Sequence, residues 1–414
     1  MFELVLRNAR LMDGWIVDIA MSQGAIMVVK PEISERGASE LDADGRLTLP
    51  AFVNGQLHAC KSFWRQLLHT LPSDSQALPP FEAAHHVKHL YTKENVFARV
   101  DEVMRLAIRH GACAIRLFAD VDEISGLTAL EAMLAIREKY AEWMCVQAVA
   151  FPQDGILTDT TPQLMHRALE LGADVVGGIP WIEPTVEAQQ AHVEMCFSLA
   201  QAFERDLHFV CDDAANSQLR TLEMVAKQTI QMNKVHSHLR VAATQCSALS
   251  FYEDVYAAEV IRLVKEARMT IFSNSHVNLI ATEFDEASHP WPRSVTRIRE
   301  LLAAGVSVAC GQDDIDNWFY PFGRNDMLEV AQFMAHNGRF AWHGYVDNVL
   351  PMVTSTPAKL FDIQYGIWKS ADANLVVLDA PDWHSAIQFQ PDKRFVILKG
   401  KLVAKTQSKT TFTL

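Results

Sequence analysis

The chain has 414 residues, of which 49% are hydrophobic and 21% are charged, a globular balance that excludes a largely disordered protein. Its formal net charge of −13 argues against sequence-independent binding to nucleic acid or anionic lipid, because either would need clustered lysine and arginine.

The seven cysteines are an odd number, are widely spaced and include no Cys-x-x-Cys pair. We therefore expect reduced thiols in a cytoplasm rather than a disulfide framework. The first ten residues show no basic segment followed by a long apolar core, and no stretch of about 20 residues is apolar enough to span a bilayer. These features predict a soluble, cytoplasmic protein without a membrane partner.

Residues 2–50 contain short β-rich runs broken by turn residues, with Asp-Gly at 13–14 and Gln-Gly at 23–24, and they predict a small sheet. From about residue 51, short buried runs alternate with long helical patterns, which implies parallel strands joined by crossover helices. Eight such strands are predicted, over residues 51–58, 114–119, 144–150, 175–179, 207–211, 240–243, 270–274 and 306–311.

Helices are predicted between these strands, over residues 92–110, 126–140, 161–171, 184–203, 217–231, 253–267 and 294–304. The alternation predicts an α/β fold, a (β/α)8 TIM barrel whose active site lies at the carboxyl ends of the strands. After a helical stretch around 324–337, residues 374–414 return to short β-rich runs. We therefore expect residues 51–364 to form the barrel, and residues 1–50 and 365–414 to form one small β-sandwich domain.

Three segments carry more specific information. Residues 149–157 read Val-Ala-Phe-Pro-Gln-Asp-Gly-Ile-Leu, and residues 171–180 read Leu-Gly-Ala-Asp-Val-Val-Gly-Gly-Ile-Pro. Residues 310–314 read Cys-Gly-Gln-Asp-Asp, and Trp-Phe-Tyr-Pro-Phe-Gly follows at 318–323. With these motifs the chain resembles the cytosine deaminase branch of the amidohydrolase superfamily, nearly from end to end.

The resemblance implies a barrel with a terminal β-sandwich, and a divalent iron or zinc ion that activates water to attack an amidine-like carbon. It places metal ligands at positions 56, 58, 210 and 313, a catalytic histidine at 245 and a general acid/base glutamate at 213. This chain has Gln56, His58, Val210, Asp213, Gln245 and Asp313 at these positions. Because only His58 and Asp313 remain as metal ligands, we expect a degenerate site with no metal or a weakly bound one.

The replacements have different chemical consequences. Positions 56 and 58 share one face of a strand, but the Gln56 amide oxygen is a weaker ligand for zinc than a neutral imidazole. The shorter side chain of Asp213 withdraws the carboxylate by about 1.5 Å, and a displacement of that order can cost about 10²-fold in rate. Gln245 cannot hold or release a proton near neutral pH, whereas histidine can.

The residues expected to recognise a ligand are better retained. The Gln153 amide offers a donor and an acceptor, and can pair with the carbonyl and ring N–H of a planar heterocycle. Trp318 and Phe319 follow Asp313 closely and are expected to stack on such a ring, although they could also pack under a loop.

Gln56, Gln245 and His276 complete the expected substrate-binding set, although His276 could simply line the pocket. His208 shares a strand face with Val210 and could replace the lost ligand there, but the alternative is a satisfied core histidine. Cys60 is a candidate nucleophile or, alternatively, a small buried thiol.

Two functions remain open, and the residues also permit, without indicating it, an isomerase or lyase that uses only acid–base chemistry. The first is an enzyme that acts on a C–N bond of a small cyclic amide or nitrogen heterocycle, with Asp313 as general base, His58 as acid or electrostatic stabiliser, and Asp213 also handling protons. The alternative is a non-catalytic relative that keeps the fold and pocket as a binding protein or partner subunit. In either case we expect a homo-oligomer or pairing with an active relative, and not ordinary cytosine deamination.

Overall fold

The computed structural model describes residues 1–70, 78–280, 294–341 and 345–413. The chain begins with five short strands, β1 (Phe2–Arg10), β2 (Ile16–Ser22), β3 (Ala25–Lys30), β4 (Gly37–Asp42) and β5 (Thr48–Pro50). The first four form one sheet in the order β3-β2-β1-β4. Gly14 (φ 88°) and Gly24 (φ 74°) adopt the left-handed conformation that the tight turns before β2 and β3 require.

The next eight strands form a second sheet, in which every strand is parallel to its neighbour in chain order. They are β6 (Phe52–Leu57), β7 (Ala112–Asp120), β8 (Cys145–Phe151), β9 (Val175–Gly178), β10 (Asp206–Cys211), β11 (Val241–Gln245), β12 (Thr270–Phe272) and β13 (Ser307–Ala309). The predicted (β/α)8 barrel is therefore confirmed.

Helices follow and connect the strands of the barrel. In chain order they are α1 (Pro80–Lys88), α2 (Lys93–Arg109), α3 (Thr128–Tyr140), α4 (Thr161–Glu170), α5 (Val186–Phe203), α6 (Thr221–Met232), α7 (Asp254–Glu266), α8 (Ser275–Asn278), α9 (Ile298–Ala303), α10 (Met327–Asn337) and α11 (Ser355–Ala358). Amphipathic helices such as α2 turn their valines and Met104 toward the barrel, where these side chains are fully buried.

The barrel closes between β6 and the segment just beyond β13. Leu57 and Asp313 form a parallel bridge, and the Asp313 N–H donates to the Gln56 carbonyl at 3.0 Å. A Cβ atom added to Gly311 would lie 2.5 Å from that same carbonyl oxygen, so this close approach requires glycine. Closure thus places Asp313 beside the residues at the carboxyl end of β6.

The chain ends with β14 (Leu375–Leu378), α12 (Trp383–Phe389), β15 (Lys393–Leu398) and β16 (Lys401–Lys405). The three strands join β5 in a sheet of order β16-β15-β14-β5. One apolar core contains residues of both terminal sheets, including Leu4, Leu6, Ile19, Leu375, Val377 and Ile397. The two ends of the chain therefore form one small β domain, as expected, while the boundaries at 50/51 and 364/365 stay predictions.

Some elements differ from the sequence-based expectations. β4, α1 and α12 were not predicted, because β4 is largely exposed and the two helices are short and weakly periodic. α6 begins at Thr221 rather than at 217, because the buried Asp212 carboxylate accepts hydrogen bonds from the N–H groups of Thr221 and Leu222. No helix in the described part of the chain is long and apolar enough to cross a membrane.

Candidate functional site

A cavity of about 410 Å³ opens at the carboxyl ends of the barrel strands. Its polar lining includes His58, Lys61, Gln153, Asp213, Gln245, Asn278, Asp313 and Asp314. Its apolar lining includes Phe81, Phe151, Ile179, Trp181, Val210, Leu219 and Phe319. The volume and the aromatic walls suit a small planar molecule.

Two glutamine amides hold the carboxylate of Asp313. Gln56 Nε2 donates to Oδ1 at 2.8 Å, and Gln245 Nε2 donates to Oδ2 at 2.6 Å. Asn274 Nδ2 in turn donates to Gln56 Oε1 at 2.6 Å, which orients the Gln56 amide with its NH2 group toward Asp313. We call Gln56, Gln245 and Asn274 the amide clamp.

Two further properties of the clamped residues are the pKa of Asp313 and the backbone conformation of Gln245 and Asp313. Burial raises the pKa of Asp313, and the hydrogen bonds from Gln56 and Gln245 and the charge of Lys61 oppose that rise. Gln245 (φ 68°) and Asp313 (φ 64°) both adopt left-handed backbone conformations, which cost about 1–3 kcal/mol each outside glycine. Such strain is typical of functional sites, where the surrounding contacts hold it in place.

The residues around Asp313 do not fit a divalent metal ion. Both carboxylate oxygens accept hydrogen bonds from amide NH2 groups, which occupy the positions from which the oxygens would ligate a metal ion. His58 Nε2 lies 3.8 Å from Asp313 Oδ1, and Val210 offers no ligand atom. Within the described residues, no group of three or more His, Cys, Asp or Glu side chains could hold a metal ion, whereas catalytic zinc normally has three protein ligands.

His58 is a buried, neutral imidazole. Its ring lies 5.1 Å from the rings of both Phe118 and Phe151, and its Nδ1 lies 3.3 Å from Lys61 Nζ. Burial and the charge of Lys61 lower the pKa of His58 well below its usual range. Nδ1 therefore accepts from Lys61, and the proton on Nε2 faces Asp313. A neutral imidazole of this kind stabilises charge but is a poor proton donor at neutral pH.

Lys61 positions the Gln153 amide. Its buried Nζ donates to Asp120 Oδ1 at 2.7 Å and to Gln153 Oε1 at 2.5 Å. Burial lowers the pKa of Lys61, but the combined effect of Asp120 and other nearby groups raises it by more. The net pKa of Lys61 is therefore raised, and Lys61 stays charged. With Oε1 occupied in this way, Gln153 turns its NH2 group to the cavity and presents a donor, rather than the donor and acceptor expected from its chemistry alone.

A buried ion-pair network anchors this wall of the cavity. Lys88 Nζ lies 2.7 Å from Asp122, 2.9 Å from Asp154 and 3.8 Å from Asp120. It thereby connects α1 with the carboxyl end of β7 and with the loop that carries Gln153. In the sequence, this network is indicated only by Asp120 and Asp154, which stand near the ends of strands. Their lysine partners are distant along the chain, so the pairing could not be predicted from the sequence.

Asp213 is the carboxyl group best placed for proton transfer. It is half-buried, and its Oδ1 accepts from Ser247 Oγ at 2.9 Å and from Asn278 Nδ2 at 3.1 Å. Its Oδ2 has no hydrogen-bond partner within the described residues and can meet a ligand. Burial and the nearby charge of Asp313 raise the pKa of Asp213 to about 7, so it can take up or release a proton near neutral pH.

Of the expected substrate-binding residues, Gln153, Gln245 and Phe319 line the cavity. The others lie elsewhere: Gln56 is buried behind Asp313, and Trp318 packs on Trp64 with ring centroids 5.8 Å apart.

His276 also lies outside the cavity wall. One of its ring nitrogens lies 2.9 Å from the Gln312 carbonyl oxygen, and its ring contacts Tyr320 at 5.1 Å. Burial lowers the pKa of His276 to about 4, so it is neutral at neutral pH. It therefore supports the loop beyond β13 rather than contacting a ligand.

The other candidate residues have structural roles. His208 Nδ1 lies 3.2 Å from the Arg116 guanidinium inside the barrel, and the His208 ring packs on Phe118 and Phe272. It is a core histidine and not a slipped metal ligand. Burial raises the pKa of Cys60 to about 12, so its thiol is not an activated nucleophile.

Comparison with known proteins gives consistent results. Residues 39–404 match the model of the amidohydrolase family. The chain is 26% identical to N-isopropylammelide isopropyl amidohydrolase of Pseudomonas sp. (strain ADP) over 98% of both chains, and 24% identical to pterin deaminase of Rhizobium rhizogenes over 94% of this chain and 88% of that one. The structure is similar, with a TM-score of 0.90 and 28% identity over 99% of each chain, to 5-methylcytosine deaminase from Klebsiella pneumoniae liganded with 5-fluorocytosine. These relatives are hydrolases and deaminases that act on C–N bonds of nitrogen heterocycles.

Proposed function

This chain belongs to the amidohydrolase family, and from that premise we propose that it hydrolyses a C–N bond of a small planar nitrogen heterocycle without a metal ion at Asp313. The family generally uses a divalent metal, but in this chain the NH2 groups of the amide clamp occupy both oxygens of that carboxylate. The observation that carries the proposal is the Asp213 carboxyl, which lines the cavity with a free Oδ2 and a pKa of about 7. The substrates in the names of the relatives of this chain support the proposed substrate class.

In this proposal Asp213 moves the proton. Its ionised carboxylate takes a proton from water as the water oxygen bonds to the ring carbon, and the protonated carboxyl returns that proton to the leaving nitrogen as the C–N bond breaks. As water adds, the electron pair of the ring C=N bond moves to the ring nitrogen, and that nitrogen takes up the proton of the remaining hydroxyl as the ring carbonyl forms. One water molecule thus yields one carbonyl group and one free amine or ammonia.

The other residues bind and orient. The Gln153 NH2 group, aligned by Lys61, donates to an acceptor atom of the ligand. Phe151 and Phe319 supply apolar walls that exclude water around the ring. Asp313, with both oxygens held by the clamp, accepts N–H groups of the ligand at a fixed position rather than carrying the proton itself.

The test is turnover by protein purified in the presence of a chelator. Amine or ammonia release is measured with a panel of aminopyrimidines, aminotriazines and pterins, and ring opening with hydantoins and lactams, each with and without added zinc, iron or manganese. We expect turnover that the chelator leaves unchanged, that falls about 10²- to 10⁴-fold in Asp213→Asn, the usual contribution of a proton-transfer group, and that persists in Asp347→Asn, a matched change at an exposed site.

Each other outcome has a definite meaning. Turnover that requires an added metal would refute the metal-free mechanism. Full activity in a folded Asp213→Asn protein would refute the role of Asp213. No turnover of any compound would refute the enzymatic proposal and support a non-catalytic relative.

Assembly into a homo-oligomer, or pairing with an active relative, stays a prediction that analytical ultracentrifugation would check. The cytoplasmic location likewise stays a prediction.

A further inference from the structure

We propose that the cavity selects a planar cation with adjacent N–H donors, of the amidinium type found in a protonated amino-heterocycle, over a neutral molecule of the same shape. The inference rests on the proposed function in that it takes the same cavity as the substrate site. It goes further by assigning the charge of the ligand.

The first support is the charge of the cavity lining. Three carboxyl groups line it, those of Asp213, Asp313 and Asp314. Among the described lining residues the only lysine or arginine is Lys61, and its charge is balanced by its ion pair with Asp120 at 2.7 Å. The clamp around Asp313 supplies neutral amides, and these do not cancel a carboxylate charge. Burial and the charge of Asp313 raise the pKa of Asp314 well above its usual range, so the negative charge of the lining rests on Asp313 and, above its pKa of about 7, on Asp213.

The second support is independent of charge and concerns hydrogen bonding. Gln245 lines the cavity and is only 4% exposed, yet its Oε1 accepts no hydrogen bond from the described residues. The Nε2 of the same amide is committed to Asp313 Oδ2, so the amide cannot rotate to remove this deficit without losing that bond. A buried acceptor without a partner costs free energy that a ligand N–H group would recover.

Asp213 adds a second acceptor on the cavity wall. Ser247 and Asn278 both donate to its Oδ1, and Oδ2 has no partner among the described residues. Gln245 Oε1 and Asp213 Oδ2 are thus acceptors available to N–H groups of a ligand, and the Gln153 NH2 group is a donor available beside them. An amidinium group carries adjacent N–H donors and a delocalised positive charge, and it binds a carboxylate through charge-assisted hydrogen bonds.

A cationic ligand also suits the proposed reaction. The positive charge of an amidinium withdraws electrons from its central carbon, which is the atom that water must attack. The positive charge of the ligand thus activates this carbon toward water, in a site whose residues do not fit a metal ion that could do so. Hydrolysis converts the amidinium and one water into an amide and an ammonium ion, so atoms and charge balance.

The experiment compares benzamidine with benzamide, which have the same planar shape and differ in charge and in one donor position. Isothermal titration calorimetry at pH 8 measures both affinities for the full-length protein. We expect benzamidine to bind at least about tenfold more tightly, a difference of about 1.4 kcal/mol. Asp213→Asn should reduce the preference about tenfold or more, and Asp347→Asn should leave it unchanged.

If thermal denaturation shows that Asp213→Asn does not fold, Asp313→Asn provides a second variant, because it removes the other charged carboxylate of the cavity. Equal affinities in the wild-type protein, tighter binding of benzamide, or a preference that neither carboxylate variant reduces would each overturn the inference. The result is separable from the proposed function. A cation preference without turnover of any compound would refute only that function, and turnover of neutral heterocycles without a preference would refute only this inference.

Discussion

Replacing Asp213 with asparagine tests the environment of this carboxyl group through the free energy of unfolding. Burial and Asp313 raise the pKa of Asp213 from 3.8 to about 7. The folded state therefore binds a proton that the unfolded state releases between these two pH values. For a raised pKa, the associated stability is present below pH 4 and is lost as pH rises through 7. Wild-type protein should therefore lose stability relative to Asp213→Asn over this range.

The size of the effect follows from the shift. One unit of pKa corresponds to 1.36 kcal/mol, so a group with pKa values of 3.8 and about 7 destabilises the fold by roughly 2–3 kcal/mol more at pH 8 than at pH 5. Asp213 is only half-buried, so solvent screening makes this an upper bound. The asparagine side chain keeps the shape and can still accept from Ser247 and Asn278, but it carries no charge.

Urea denaturation followed by tryptophan fluorescence measures the effect at pH 5 and at pH 8. We expect the stability of Asp213→Asn relative to wild type to increase by up to about 2–3 kcal/mol between the two pH values. Asp347→Asn, at an exposed position, serves as the control and should follow wild type. A constant difference between Asp213→Asn and wild type at both pH values would refute a raised pKa, and with it the assignment of Asp213 as a proton carrier near neutral pH.

Three further predictions concern the clamp and the network beside it. Lys61→Met should lower the free energy of unfolding by about 3–5 kcal/mol, measured by urea denaturation, because it removes the nearer cation of the buried Asp120 carboxylate and leaves only Lys88 at 3.8 Å; a loss below about 1 kcal/mol would show that the pair is not buried as described. Gln245→Leu should destabilise by about 1–3 kcal/mol through the lost donor to Asp313, and unchanged urea midpoints would contradict the clamp. Elemental analysis of untreated protein should find well below one zinc, iron or manganese ion per chain, and a stoichiometric ion would overturn the reasoning about the clamp.

The amino-acid pattern determined the architecture because it depends on local periodicity. Short buried runs alternating with amphipathic helices predicted parallel strands and crossover helices, and the eight strands observed lie close to the predicted ranges. The identities of Gln56, Val210 and Gln245, none of them a histidine, are also visible in the sequence alone. Whether a side chain is able to ligate a metal or transfer a proton depends on its functional group, which is the same in any fold.

The roles of the polar residues depended on contacts that only the closed barrel makes. Gln56 turns its NH2 group toward Asp313 because Asn274, 218 residues away, donates to its oxygen. Gln153 presents a donor because Lys61, 92 residues away, occupies its acceptor. Local sequence sets which face of a strand a side chain occupies, but the direction of an amide and the pKa of a carboxyl are set by partners that are distant in sequence and come together only at closure.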